Sequence, residues 1–303
     1  MPKVVQVRRG TTSALSSVTG AEGELFVDTD KETLTVHNNY QAGGFPLMRE
    51  DFNNAADNTL PIGKLSRSGG TAGQVVKINT AGNGFAFGSG GLQSQQVFTS
   101  SGTWTKPAGI NKVKVYVTGG GGGGAGGGGA NNGGGGGGAG GTAIEVIDVS
   151  SVSSVTVTIG GSGGGGAQDS DGGDAGTSSF GSYCSATGGG RGIPWNSGSS
   201  TRSGVSGVGS GGDINLSGGQ GSQGVAHDAS DDGHANDGGA SFWGGGGHGA
   251  VASAGYNRSN QTYSSAQPGQ AYGSGGGGGG HTGGNQAPGA AGKPGIVVVE
   301  EYA

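Results

Sequence analysis

The side chains best suited to chemistry gather in one short segment. His227-Asp228-Ala229-Ser230-Asp231-Asp232-Gly233-His234 sets two imidazoles and three carboxylates within eight residues. Such groups suit a divalent metal, but the spacing matches no metal signature, and a polar run of this kind is ordinarily a solvated loop. Asp169-Ser170-Asp171-Gly172-Gly173-Asp174 has the start of a calcium loop, yet Phe180 stands where the bidentate Glu of position 12 is required. No metal and no cofactor are therefore expected. No Ser-His-Asp order and no carboxylate pair stands out. An acidic pair for glycan cleavage would have to be assembled from Asp169, Asp171, Asp213 and Asp228. Gly-x-Gly-x-x-Gly recurs, but without a strand and a helix around it the pattern carries no information. The chain is expected not to be an enzyme.

Binding is better served. Four polar segments interrupt the glycine-rich half, at residues 167–174, 191–206, 213–237 and 250–272. Loops on a rigid scaffold are where binding residues concentrate. Arg191, Trp195, Arg202, Tyr256, Arg258, Tyr263 and Tyr272 are of the types that dominate interface hot spots. With His227, Asp228, Asp231 and His234 they form the candidate binding set. The competing reading is that the aromatics cap the ends of the glycine-rich stack. Trp243, inside a glycine run, reads as packing, as do Phe180, Tyr183 and Cys184. His248 and His281, also within glycine runs, are candidates for bonding to backbone.

The elements that must position these residues are unusual. The chain holds 80 glycines in 303 residues, roughly four times the ordinary usage of about 7%. Only 30% of residues are apolar and 12% charged, too few large side chains for a conventional core throughout. The net charge is −5, and Arg8-Arg9 is the one basic cluster, so nucleic acid is not an expected partner. No apolar run reaches the roughly 18–20 residues that span a bilayer, and no secretory h-region follows Met1. Membrane insertion is not expected. Synthesis in a cytoplasm is, with lysis as the route by which the chain would reach the outside of a cell.

Three regions follow along the chain. In residues 1–50, Val4–Val7, Glu24–Asp28 and Thr33–His37 read as short strands, the last two joined by a turn at Thr29-Asp30-Lys31-Glu32. Three strands make a poor independent core, so oligomerisation is expected. Residues 51–94 are a connector with a hairpin at Gly73–Ile78 and Gly84–Gly88. Residues 95–303 hold the glycine runs, with strands at Val113–Val117, Ile144–Val149, Val155–Ile159 and Ile296–Val299. A β-prone terminal strand argues for an ordered insertion on a β base, in one sheet with Val113–Val117 and Val155–Ile159. Glycine orders itself without side chains in an extended helix of the polyproline II type, with three residues per turn and outward N–H and C=O groups that bond to neighbouring helices. The expected fold class is mainly β with almost no helix: a small N-terminal β module, a hairpin connector, then a β base carrying stacked polyglycine II helices.

Several segments carry a family resemblance. Val7-Arg8-Arg9-Gly10-Thr11-Thr12, Gly23-Glu24-Leu25-Phe26-Val27-Asp28, Leu34-Thr35-Val36-His37 and Gly43-Gly44-Phe45-Pro46-Leu47 resemble the head module of phage tail fibres and tropism determinants. Gly69-Gly70-Thr71-Ala72-Gly73-Gln74-Val75-Val76-Lys77 is similar to a spacer repeat of such fibres. Phe98-Thr99-Ser100-Ser101-Gly102-Thr103-Trp104-Thr105-Lys106-Pro107, Thr177-Ser178-Ser179-Phe180-Gly181-Ser182-Tyr183 and Gly295-Ile296-Val297-Val298-Val299-Glu300 resemble glycine-rich phage tail proteins. The resemblance implies a virion adhesin that recognises a host-surface receptor, a polysaccharide or an outer-membrane protein. It also implies a homotrimer joined to other tail proteins through the N-terminal module. A structural spacer of the virion and a glycan-depolymerising spike are the alternatives.

Overall fold

The computed structural model describes residues 7–46, 74–78, 85–128, 133–194, 203–224, 236–250, 264–282 and 285–303. The fold is almost entirely β, with one helix of four residues among those described. Two compact units divide it, residues 1–72 and 73–303.

In the first unit, Arg8–Gly10 pairs in parallel with Leu25–Asp28, which pairs antiparallel with Thr33–Val36, and that in turn with Phe45–Pro46. The short helix Thr12–Leu15 begins at Thr11, whose hydroxyl accepts the Ala14 N–H at 3.2 Å. The sheet inverts the usual preference of its faces. Its inner face carries Phe26, Asp28, Thr33, Thr35 and the buried His37, with the Phe26 and His37 rings 4.1 Å apart. Its outer face presents Val7, Leu25, Leu34 and Phe45 to solvent. Burial alone would raise the Asp28 carboxyl, but hydrogen bonds from the Thr12 hydroxyl and the Lys31 and Asp30 N–H groups bring it below its ordinary range.

The second unit has a sandwich base. One sheet orders the strands Ile214–Leu216, Thr142–Asp148, Lys112–Thr118, Ile296–Tyr302 and Leu92–Phe98. The other orders Gly209–Ser210, Cys184–Ala186, Ser178–Phe180, Ser154–Thr158 and Gly102–Thr105. The alternating valines Val113, Val115, Val117, Val297 and Val299 of the first sheet meet Val155, Val157, Phe180 and Trp104 of the second. The sequence expectation put Val155–Ile159 in the sheet of Val113–Val117. The structure instead gives Ser154–Thr158 to the facing sheet. Both arrangements bury alternate valines, so the pattern alone does not choose between them. Phe180 and Cys184 pack in this core, as read from the sequence, with Tyr183 partly buried against it.

Glycine runs rise from the sandwich and bond to one another through backbone. The run 119–127 shows the rule. N–H groups of Gly119, Gly122 and Ala125 donate to Gly141, Gly138 and Gly135. Those of Gly120, Gly123 and Gly126 donate to Gly176, Gly173 and Ser170, and those of Gly121, Gly124 and Gly127 to Lys293, Ala290 and Ala287. Each third residue returns to the same antiparallel neighbour. Carbonyls of the run accept in the same period from parallel neighbours: Gly121 and Gly124 from Gly163 and Gly166, Gly120 and Gly123 from Gly189 and Gly192, Gly122 and Ala125 from Gly276 and Gly279. Six neighbours thus surround one run and satisfy its polar groups with backbone alone. Run 133–141 is surrounded in the same way, and there the buried Asn236 side chain donates to the Gly134 carbonyl at 2.7 Å in place of a backbone N–H. The packing leaves no room for a methyl group at most of these glycines. A Cβ on Gly123 would sit 1.9 Å from the Gly164 carbonyl oxygen.

Candidate binding tip

The hydrogen-bond register fixes which way each run travels. Runs 119–127, 160–167, 187–194, 217–224, 244–250 and 273–280 leave the sandwich, and runs 133–141, 170–177, 203–208, 236–240, 264–271 and 287–295 return to it. At the sandwich end the connections are the strands themselves and two tight turns, at residues 241–244 and 271–273. At the remote end lies the described turn of residues 167–171. The chain also passes out of the described residues there, between Gly128 and Gly133, Pro194 and Ser203, Gly224 and Asn236, Ala250 and Ser264, and Thr282 and Asn285. An isolated bridge between Gly134 and Pro194 ties two of these exits together. These five exits and the turn of residues 167–171 therefore lie at the end remote from the sandwich.

The described tip residues are polar. Asp169 adopts φ of 53°, which the reversal there demands, and its N–H donates to the Gly127 carbonyl at 2.8 Å. The Gln168 side chain crosses to the Gln286 carbonyl at 2.7 Å. Asp237 accepts the Gly249 N–H at 3.0 Å and faces the His248 ring at 3.6 Å. His248 therefore meets a carboxylate through its side chain, in place of the expected bond to backbone. The His281 side chain lies outside the described residues.

Of the candidate binding residues, Arg191 and Tyr272 are described. Arg191 lies on the flank of the stack, three residues before the Pro194 exit. Its guanidinium faces Asp171 at 3.3 Å and Asp174 at 3.6 Å, and its N–H donates to Asp174 at 2.9 Å. Tyr272 sits at the other end, in the turn beside the sandwich, where its carbonyl accepts the Ser241 hydroxyl at 2.7 Å. The structure does not bring the two together. Trp195, Arg202, His227, Asp228, Asp231, His234, Tyr256, Arg258 and Tyr263 lie outside the described residues. The polar segments read from sequence also prove heterogeneous. Ile214–Leu216 within 213–237 is a sandwich strand, and residues 264–272 return through the stack.

Sequence reasoning missed a second exposed group, on the outer face of the first sheet. Phe242 and Trp243 lie there 5.0 Å apart edge to face, each 6.1 Å from Tyr116, and the Trp243 indole donates to the Thr118 hydroxyl at 2.9 Å. The expectation that Trp243 packs holds for this contact. The signal available in sequence was Tyr116, an outward position between inward valines. No group of three or more metal-binding side chains occurs among the described residues, and no described helix is long and apolar enough to cross a membrane.

A sandwich bearing a backbone-bonded glycine stack defines the class, and the chain belongs to the glycine-rich domain family, whose profile matches residues 94–302. Residues 5–38 match the major tropism determinant N-terminal domain. The chain is also similar to a tail fiber receptor-binding protein of Bordetella phage BPP-1, with 53% identity over 51 residues, which is 17% of this chain. The match spans 13% of that relative's length.

Proposed function

We propose that this chain is a phage tail fibre protein whose glycine-rich unit recognises a receptor on the host cell surface, by binding without turnover and without a cofactor. The observation that carries the reading is the common end at which the polar segments open, away from the sandwich through which the chain enters the unit. A rigid stack with variable segments at one end suits recognition. The three-residue hydrogen-bond period supports reading the runs as polyglycine II helices. The likeness of the N-terminal residues to a receptor-binding tail fibre protein supports the virion setting. In this reading the N-terminal module joins the chain to other tail proteins and trimerises. The solvent-facing Val7, Leu25, Leu34 and Phe45 support that role, because a small sheet with a bare apolar face needs a partner to cover it. Several tips per particle would then convert modest affinity per site into firm attachment. The receptor is a surface polysaccharide or an outer-membrane protein.

The test uses labelled full-length protein on a panel of bacterial strains, beside a variant with residues 195–202, 225–235 and 251–263 replaced by Gly/Ser. The expected result is strain-selective binding by the parent, blocking of phage adsorption, and loss of both in a variant that melts like the parent. Equal binding by the two would remove the tip from the reading. No binding by either, with normal assembly into particles, would leave a structural spacer.

A further inference from the structure

Phe242 and Trp243 are the two central residues of the tight turn between Ser241 and Gly244. Gly, Asn, Asp and Ser ordinarily fill such positions, yet this turn carries two large rings. It holds them firmly. Ser241 and Gly244 exchange backbone bonds at 2.9 and 3.3 Å, and the Ser241 hydroxyl accepts the Trp243 N–H at 3.2 Å. The indole N–H is already spent on Thr118, so what Trp243 offers to solvent is ring carbon. The two rings stand at 89° to each other and make a corner, with the half-buried Tyr116 as a third wall. Rings placed only to cover the sheet would turn their area inward, whereas Phe242 is 46% exposed.

The next row of the same sheet face is polar. Across the register Lys114 stands beside Glu300, and Glu300 beside Gln95. The Lys114 ammonium lies 5.0 Å over the Tyr116 ring, and the Tyr302 hydroxyl donates to Glu300 at 2.9 Å. One row further, Lys112 stands beside Asp148. Two ammonium groups therefore meet two carboxylates, and the face is balanced in charge.

We propose that this face binds a neutral glycan, one pyranose ring stacking in the corner of Tyr116, Phe242 and Trp243 while its hydroxyls reach Lys114, Glu300 and Gln95. The C–H groups on the flat side of a pyranose carry partial positive charge and suit the negative faces of aromatic rings. Its hydroxyls both donate and accept, so one sugar serves an ammonium, a carboxylate and an amide together. An apolar cover would not. The connector hairpin, with Val75, Val76, Ile78 and Phe87 exposed, would strip water from the Lys114–Glu300 row and return no hydrogen bonds. An acidic glycan would meet Glu300 and Asp148 as well as the lysines. The site lies at the sandwich end of the stack, away from the tip, and does not rest on the receptor reading.

The test uses saturation-transfer NMR on the full chain, with cellohexaose, maltohexaose and chitohexaose as neutral probes and a galacturonate hexamer as the acidic one. Transfer to the ring protons of at least one neutral probe is expected, and none to the galacturonate. Trp243→Ala and Phe242→Ala are expected to weaken binding at least tenfold with the thermal transition kept, and Phe242→Tyr to retain it. Phe242→Ala breaks no hydrogen bond of its side chain and carries the test if Trp243→Ala fails to fold. The variant with the tip segments replaced by Gly/Ser should bind these probes as the parent does, even if it no longer binds cells. Absence of transfer from all three neutral probes overturns the site. So does binding that survives Phe242→Ala unchanged, binding that disappears with the tip segments, or a preference for the galacturonate.

Discussion

The indole Nε1 of Trp104 donates to Oε1 of Glu301 at 2.7 Å, joining a strand near the start of the glycine-rich unit to its last strand. The same buried carboxylate accepts the Gln96 amide at 2.7 Å and the Ser94 hydroxyl. One side chain thus pins three strands at the edge where the chain both enters and leaves. Glu301→Ala strips three donors at once; the Trp104 indole is fully buried, while Gln96 is half-buried and Ser94 exposed, and a buried donor left without a partner costs on the order of 1–3 kcal/mol. A loss of about 3 kcal/mol is expected from urea unfolding followed by Trp fluorescence, with Glu301→Gln costing roughly half as much. A shift under about 1 kcal/mol for the alanine variant would mean that water takes over the carboxylate's role.

Gly123 and Gly164 lie in neighbouring runs but meet different surroundings. A Cβ on Gly123 collides with the Gly164 carbonyl, whereas a Cβ on Gly164 meets nothing within 4 Å. Gly123→Ala is therefore expected to cost about 3 kcal/mol or more by forcing two backbones apart. Gly164→Ala should be neutral or stabilise by about 0.5 kcal/mol through the unfolded chain. Differential scanning calorimetry of the pair checks this. Equal melting temperatures would show that the stack tolerates swelling.

Asp28 ties stability of the N-terminal module to pH. Its folded carboxyl titrates below the ordinary value of 3.8, so the folded state holds the charged form more firmly than the unfolded chain does. Its contribution is fully present above about pH 4 and is lost as pH falls through the lower, folded value. Hydrogen exchange of the Leu25–Asp28 amides should show this loss in the parent. Asp28→Asn should be weaker at neutral pH by about 1–2 kcal/mol and lack that part of the acid sensitivity. An unchanged acid profile in the variant would assign the effect to another carboxylate.

Cys184 should be chemically quiet. Burial, the Glu145 charge and a hydrogen bond to that carboxylate push its thiol up to about 12. Glu145 itself is raised, by burial first and by the neighbouring Asp213 charge. Since the thiolate is the nucleophile, iodoacetamide at pH 8 is expected to label the folded chain more than about a hundredfold more slowly than the chain in urea. Rapid labelling of folded protein, read by mass spectrometry, would place Cys184 outside the core.

Much of the fold was legible in the sequence for a physical reason. Runs of glycine have no side chains to bury, so their backbone groups must satisfy one another, and a three-residue period is the means by which a single extended run reaches several neighbours. Alternating valines in Lys112–Thr118 and Ile296–Tyr302 announce half-buried strands. The hairpin of Leu25–Asp28 with Thr33–Val36 was legible directly, because local alternation and a polar turn at Asp30 specify it without distant contacts, whereas the strand expected at Val4–Val7 is described at Arg8–Gly10, with residues 4–6 outside the described residues. The tertiary structure alone decided the rest. Which sheet receives Ser154–Thr158 depends on packing between two equally valine-rich faces. Whether Arg191 and Tyr272 share an end depends on counting outward and returning runs, and only the hydrogen-bond partners of each glycine reveal the direction of a run. Glycine carries no side chain to mark which neighbour it faces, so the sequence specifies that the runs stack while the register of backbone bonds determines where each polar segment emerges.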